Sequence, residues 1–174
     1  MADITNILNP GYWGRGRALH VIDLETLVGG GVSRRRAEEA WTIYERGIGI
    51  QNGDRAIVVV SELYAEAVRL VVPAAYVRLR FCAARPNAAD WLLKHNAEAE
   101  LDRTTFNMVI IASGDHTFAS IAELARSRKM QVWLVTGRGG VARKLAASCP
   151  LRSKLRIGTG TAHRPAVFAA RQSA

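Results

Sequence analysis

Three stretches of this chain hold continuous apolar runs of four or five residues: "RAIVVV" (55–60), "NMVIIAS" (107–113) and "MQVWLVT" (130–136). A strand with one wet face alternates polar and apolar residues. A continuous β-branched run is buried on both faces, as strands of a helix-covered parallel sheet are. Two weaker strand patterns join them, "ALHVID" (18–23) and the alternating "AYVRLRFCA" (75–83). Helical patterns fill the spaces. They cover 33–47 with Ser33 as cap, 61–72 with Ser61 as cap, 87–101 with Asn87 as cap, 117–129 and 141–148. Pro73 ends the second, and in the fourth Phe118, Ile121, Leu124 and Ala125 share one face. Strands and helices therefore alternate throughout, which predicts an α/β domain with a central parallel sheet between helical layers. Ligands of such sheets bind beyond the carboxyl ends of the strands, where strand order reverses.

At 174 residues and 49% hydrophobic content the chain has material for one domain with a sizeable core. No repeat and no second domain is visible. No apolar run reaches the ~18 residues of a membrane span, and "MADITNILNPGYWGRG" lacks the apolar centre of a signal peptide. Cys82 and Cys149 belong to no CxxC or Cys/His cluster, so zinc is not expected. Cys82 reads as a core residue. A cytoplasmic protein without membrane attachment is expected. Beyond Pro150 the pattern weakens into a basic C-terminal extension with one late strand near Val167, and Tyr12 and Trp13 in the N-terminal extension are candidates for an interface such as that of a homodimer.

The charge is uneven. The chain carries +9 overall, and after Glu123 no acidic residue follows. Arg126, Arg128, Lys129, Arg138, Arg143, Lys144, Arg152, Lys154, Arg156, Arg164 and Arg171 occupy that one-signed segment. Such a segment suits a polyanion, nucleic acid before a membrane surface. A solvated face kept for solubility is the plainer alternative.

Acids stand at the expected binding edge. Asp23 ends the first strand in "VIDLETL", with Glu25 two residues on. Asp90 lies in the first turn of a helix in "NAADWLL", and Asp115 follows a strand in "VIIASGDHTF". Two carboxylates about 5 Å apart at an effective dielectric near 20 repel by roughly 3 kcal/mol. A hard divalent cation, Mg²⁺ or Mn²⁺, compensates such a group and keeps water and substrate phosphates as further ligands. Each acid also has a structural alternative. Asp115 can cap the helix after it, and Asp90 can serve a helix dipole. For Asp23 no cap or ion-pair role is evident, and Glu25 suits a surface or supporting position.

These three motifs together resemble the NYN domain of the PIN-like nuclease superfamily. In that family the first strand ends as D-x-E-N-L, a later helix begins with an Asp, and the fourth strand runs into S-G-D-x-D-F. The resemblance spans residues 18–148. It implies a three-layer α/β/α PIN-like fold with strand order 3-2-1-4-5, which sets Asp23 and Asp115 on adjacent strands. It also implies a Mg²⁺- or Mn²⁺-dependent endoribonuclease with Asp23, Asp90 and Asp115 as metal-binding acids. Thr117 stands where the second acid of S-G-D-x-D-F belongs, and Thr26 where the Asn of D-x-E-N-L belongs. The chain thus resembles the branch with an uncharged residue at the fourth acidic position, with Thr117 positioning water at the catalytic site.

Around these acids, Ser113 and His116 are candidates to contact RNA or the metal shell, and Gly114 to let substrate approach closely. Arg138 in "GRGG" and Arg143 and Lys144 in the helix after it are candidates to hold the RNA backbone. A phosphatase with a D-x-D-x-T nucleophile is disfavoured, because Leu27 stands in place of the Thr and Ala119 in place of a later acid. A receiver domain lacks its acidic pair and lysine. The remaining rival is a catalytically weak or inactive RNA-binding or regulatory module on the same fold.

Overall fold

The centre of the sheet is β1 (Ala18–Ile22), every residue of which is buried. In the computed structural model, which describes residues 16–158, it pairs in parallel with β2 (Arg55–Ser61) on one side and β4 (Met108–Ala112) on the other. Beyond these lie β3 (Val77–Cys82), β5 (Gln131–Thr136) and β6 (Leu151–Lys154). The six-stranded sheet has the order β3-β2-β1-β4-β5-β6, and all its pairs are parallel.

Successive side chains of a strand point to opposite faces, and each face has its own core. Ile22, Val58, Val60, Ile110, Trp133 and Val135 pack under α1 (Leu24–Val28), α2 (Arg34–Gly47) and α3 (Ala65–Arg69). Val21, Ile57, Val59, Val109, Ile111 and Leu134 pack under α4 (Ala88–Arg103), α5 (Ala119–Ser127) and α6 (Arg143–Ser148). This is a three-layer α/β/α arrangement, as expected. The crossovers β1–β2–β3 use one layer and those from β3 onward use the other. Strand order therefore reverses between β1 and β4, and the switch point lies at their carboxyl ends.

Several expectations are refined. The domain does not stop at 148. β6 extends the sheet beyond the expected fifth strand, and Leu155 and Ile157 are buried in the core. β6 escapes a sequence reading because of its four residues only Ser153 is buried, and an edge strand needs backbone pairing more than apolar side chains. The expected helix over 61–72 is a 3-10 turn at Glu62–Tyr64 followed by the five-residue α3. It closes where the N–H groups of Val71 and Val72 both return to the Val68 carbonyl. Ser33 and Ser61 cap as expected, whereas Asn87 adopts a left-handed φ of 58° and makes no side-chain cap bond. Cys82 is half-buried at the end of the edge strand rather than within the core. Tyr12, Trp13 and the strand expected near Val167 lie outside the described residues. Among the described residues no helix is long and apolar enough to cross a membrane.

Candidate active site

Asp23 follows β1 directly and is only 5% exposed. Its N–H donates to the Ala112 carbonyl at 3.0 Å, so the β1–β4 pairing runs to the edge of the site. Its carboxylate caps α1, a role invisible in the sequence because a five-residue helix has no period to read. Oδ1 accepts the Thr26 N–H at 3.1 Å, and Oδ2 accepts both the Thr26 hydroxyl and the Ser113 hydroxyl, the latter at 2.8 Å. Burial pushes the Asp23 carboxyl above its ordinary range. The Thr26 and Ser113 hydrogen bonds oppose that shift, and the Asp115 charge adds to it.

The turn after β4 is built around the same serine. Ser113 is buried, and its Oγ also accepts the Asp115 N–H at 3.0 Å. Asp115 caps the 3-10 turn His116–Phe118, taking the Thr117 N–H on Oδ1 at 2.7 Å. His116 Nδ1 lies 3.4 Å from the same oxygen, with its side chain largely in solvent. Partial burial would raise the Asp115 carboxyl. The Thr117 hydroxyl and N–H and the His116 charge outweigh it and hold the group below its usual range. Thr117 thus supports Asp115 rather than replacing a missing charge.

The other two acids come from opposite layers. Glu25, on α1, accepts the Ser61 N–H at 3.3 Å, and burial lifts its carboxyl above the ordinary range. Asp90, in the first turn of α4, is pushed up to about 6. Burial contributes most, followed by the charges of Asp23, Asp115 and Glu25, while His116 acts in the opposite sense. Four carboxyl groups therefore share one electrostatic neighbourhood at the switch point. Cys82 belongs to it too, its thiol pushed up by burial and by Glu25, Glu62 and Asp90. Among the described residues no three His, Cys, Asp or Glu side chains are grouped tightly enough to hold a metal ion by themselves.

A cleft of about 550 Å³ opens beside Asp115, lined by Glu25, Thr26, Arg138 and five glycines, Gly29, Gly30, Gly114, Gly139 and Gly140. Its wall is the "GRGG" loop after β5, stitched down by backbone bonds. Arg138 N–H donates to Leu27 O at 2.9 Å, Gly139 N–H to Thr26 O at 3.1 Å, and Ala142 N–H to Gly114 O at 2.8 Å. The approach is too close for side chains. A Cβ on Gly114 would lie 1.8 Å from the Gly140 carbonyl oxygen, and one on Gly137 would lie 2.2 Å from that of Leu27. Gly114 is needed for packing against this loop, beyond the substrate access expected of it.

Arg138 lines the cleft and is exposed, and Arg143 and Lys144 are exposed at the start of α6 on the same edge. Lys154 ends the parallel β6 at that edge as well. Arg126, Arg128 and Lys129 stand elsewhere, at the end of α5 on the opposite edge, where Arg128 pairs with Asp102 at 2.5 Å. The basic third is thus divided between the two edges.

Neither a family profile nor a curated protein matches this sequence. The fold has a counterpart in a crystal structure of a protein of unknown function from Vibrio parahaemolyticus. That match has a TM-score of 0.51 and 14% identity, over 81% of this chain and 93% of the other. At that identity the likeness shows a shared fold and carries no activity across.

One polar cluster has no forerunner in the sequence reading. His20, fully buried within β1, bonds the Tyr44 hydroxyl through Nδ1 at 2.7 Å and Asp54 through Nε2 at 3.1 Å. Asp54 also accepts the Ala18 N–H at 2.8 Å and the Gln51 N–H at 2.7 Å. A histidine inside the otherwise apolar "ALHVI" is the signal, since a buried polar side chain needs partners. The cluster ties the start of β1 to α2 and to the turn before β2, away from the carboxylates.

Proposed function

We propose that this chain is a Mg²⁺- or Mn²⁺-dependent ribonuclease that hydrolyses RNA phosphodiester bonds at the Asp23–Asp90–Asp115 cluster. The observation that carries this reading is Asp90. Its carboxyl is lifted to about 6 by burial first and then by the charges of Asp23, Asp115 and Glu25, and the latter is the repulsion that a divalent cation relieves. The donor set fits such a cation. The oxygens are hard, and Mg²⁺ commonly takes one or two carboxylates and keeps several waters, so a tight trio of side chains is not required. Asp90 and Asp115 would hold it, with Asp23 on the inner side. When bound, the cation would activate water and offset charge developing on phosphate.

The chain's own residues supply the rest. Thr26 and Ser113 fix both oxygens of Asp23, and Thr117 fixes one oxygen of Asp115. Arg138, Arg143 and Lys144 lie along the same edge, where they would hold the RNA backbone. The likeness of the three acidic motifs to the NYN domain of PIN-like nucleases supports the same reading, and a cytoplasmic site of action agrees with it.

A second reading is an RNA-binding module without catalysis. It is favoured by the full satisfaction of Asp23, whose carboxylate already accepts three hydrogen bonds. The deciding experiment incubates wild type and Asp115→Asn with labelled single-stranded and hairpin RNAs in Mn²⁺, Mg²⁺ or EDTA. Metal-dependent cleavage by wild type, stopped by EDTA and lost in the variant, is the expected result. RNA binding by both proteins without cleavage establishes the second reading.

A further inference from the structure

The residue after Asp90 departs from what a helix surface ordinarily carries. Trp91 is 67% exposed, although burying an indole is among the larger gains open to a side chain. Its ring lies parallel to that of His95 one helical turn on, with centroids 5.7 Å apart and an interplanar angle of 8°. The imidazole braces the indole, and most of the ring faces solvent. The surroundings are polar rather than apolar. Arg85 and Asn87 are exposed just before it, and Lys94, its neighbour on the helix, pairs with Glu98. Trp91 directly follows Asp90 in the first turn of α4, at the end of the helix that carries this acid.

We propose that Trp91, braced by His95, is a stacking platform for one unpaired nucleobase of a single-stranded nucleic acid. An exposed ring backed by a second flat ring suits a base, whose π-face needs a flat partner. A protein partner would instead want a continuous apolar patch. A base-paired duplex keeps its bases stacked on one another and has no ring to offer, so the platform selects single strands. This deepens the ribonuclease reading by naming the substrate form, and it depends on that reading only for which strand is met.

The test is binding in EDTA, where no metal-dependent cleavage occurs. Anisotropy of labelled single-stranded U12 is compared with an abasic ribose-phosphate strand of equal length and with a blunt RNA duplex. Wild type should prefer U12 to both. Trp91→Ala should bind U12 about tenfold more weakly and the abasic strand as wild type does. Trp91→Phe should recover most of the loss, with unchanged circular dichroism. Equal binding of U12 by wild type and Trp91→Ala overturns the proposal. So does a loss shared by U12 and the abasic strand, or a change in oligomeric state with RNA binding untouched, which would mark a protein interface. Cleavage in Mn²⁺ is read separately. Base-selective binding without cleavage sinks the nuclease reading alone, and cleavage with no contribution from Trp91 sinks the platform alone.

Discussion

Ser113 Oγ stands 2.8 Å from Asp23 Oδ2 and joins the carboxyl ends of β1 and β4 through one hydroxyl. The same oxygen accepts the Asp115 N–H, so two acids of the cluster are referenced to one buried atom. Ser113→Ala removes a donor from a buried carboxylate and a partner from a backbone amide. A loss of about 1–3 kcal/mol is expected, read as a lower urea midpoint with an unchanged slope. If RNA is cleaved, the rate per folded molecule should also fall, because Asp23 loses one of the contacts that fix it.

Gly114 and Gly140 meet where the turn after β4 packs on the loop after β5, and they should respond differently to alanine. At Gly114 a Cβ would sit 1.8 Å from the Gly140 carbonyl oxygen, and backbone on both sides would have to move. At Gly140 a Cβ meets nothing within 4 Å. Gly114→Ala should lower the melting temperature by many degrees, with a loss of at least ~2 kcal/mol. Gly140→Ala should stay within about 0.5 kcal/mol of wild type. Equal effects at the two sites would show that the loop does not pack on the turn as described.

These two cases mark the boundary of what the residues disclose on their own. The three apolar runs made the covered parallel sheet readable, and Asp115 after one of them, with Asp23 after the weaker first strand, pointed to the carboxyl edge of the sheet. Contacts that exist only when distant segments meet were not readable. "GRGG" reads only as a loop until the Leu27 and Thr26 carbonyls take the N–H groups of Arg138 and Gly139. Asp23 looks free of structural duty until α1, too short for any periodic signal, places Thr26 on it. Ser153 justifies β6 only through the hydrogen bond it accepts from Trp133 Nε1 at 2.9 Å, twenty residues away.

Asp90 sets a pH dependence with a definite sign. Its carboxyl sits at about 6 in the folded protein against an ordinary 3.8. Between those values the folded state holds the proton more tightly than the unfolded one, so stability from this group falls as pH rises from about 4 to 6 and stays low above that. Asp90→Asn should therefore be more stable than wild type at pH 7.5, by on the order of 1 kcal/mol once screening by water is allowed for. The advantage should vanish near pH 4. Urea midpoints of both proteins across pH 4–8 test this. At pH 7.5, Mn²⁺ should raise the melting temperature of wild type and move Asp90→Asn much less, because one of the two carboxylates that would hold the cation is gone.

The buried cluster at the other end of the sheet should separate stability from function. Asp54 takes hydrogen bonds from His20, the Ala18 N–H and the Gln51 N–H, and its side chain is almost fully buried. Asp54→Ala leaves buried donors unmatched at the start of the central strand. A cost of about 3 kcal/mol follows from that kind of loss. Asp115→Asn, by contrast, can keep the cap on Thr117 through its amide oxygen and should cost less than about 1 kcal/mol. The carboxylates and the Gly-rich cleft lie beyond the far ends of β1 and β4, so RNA affinity per folded molecule should be unchanged in Asp54→Ala. Denaturation and RNA titration on both variants give the check. A loss of RNA affinity in Asp54→Ala, at a temperature where it is fully folded, would mean that the two ends of β1 are coupled and that the cluster around His20 serves the site as well as the fold.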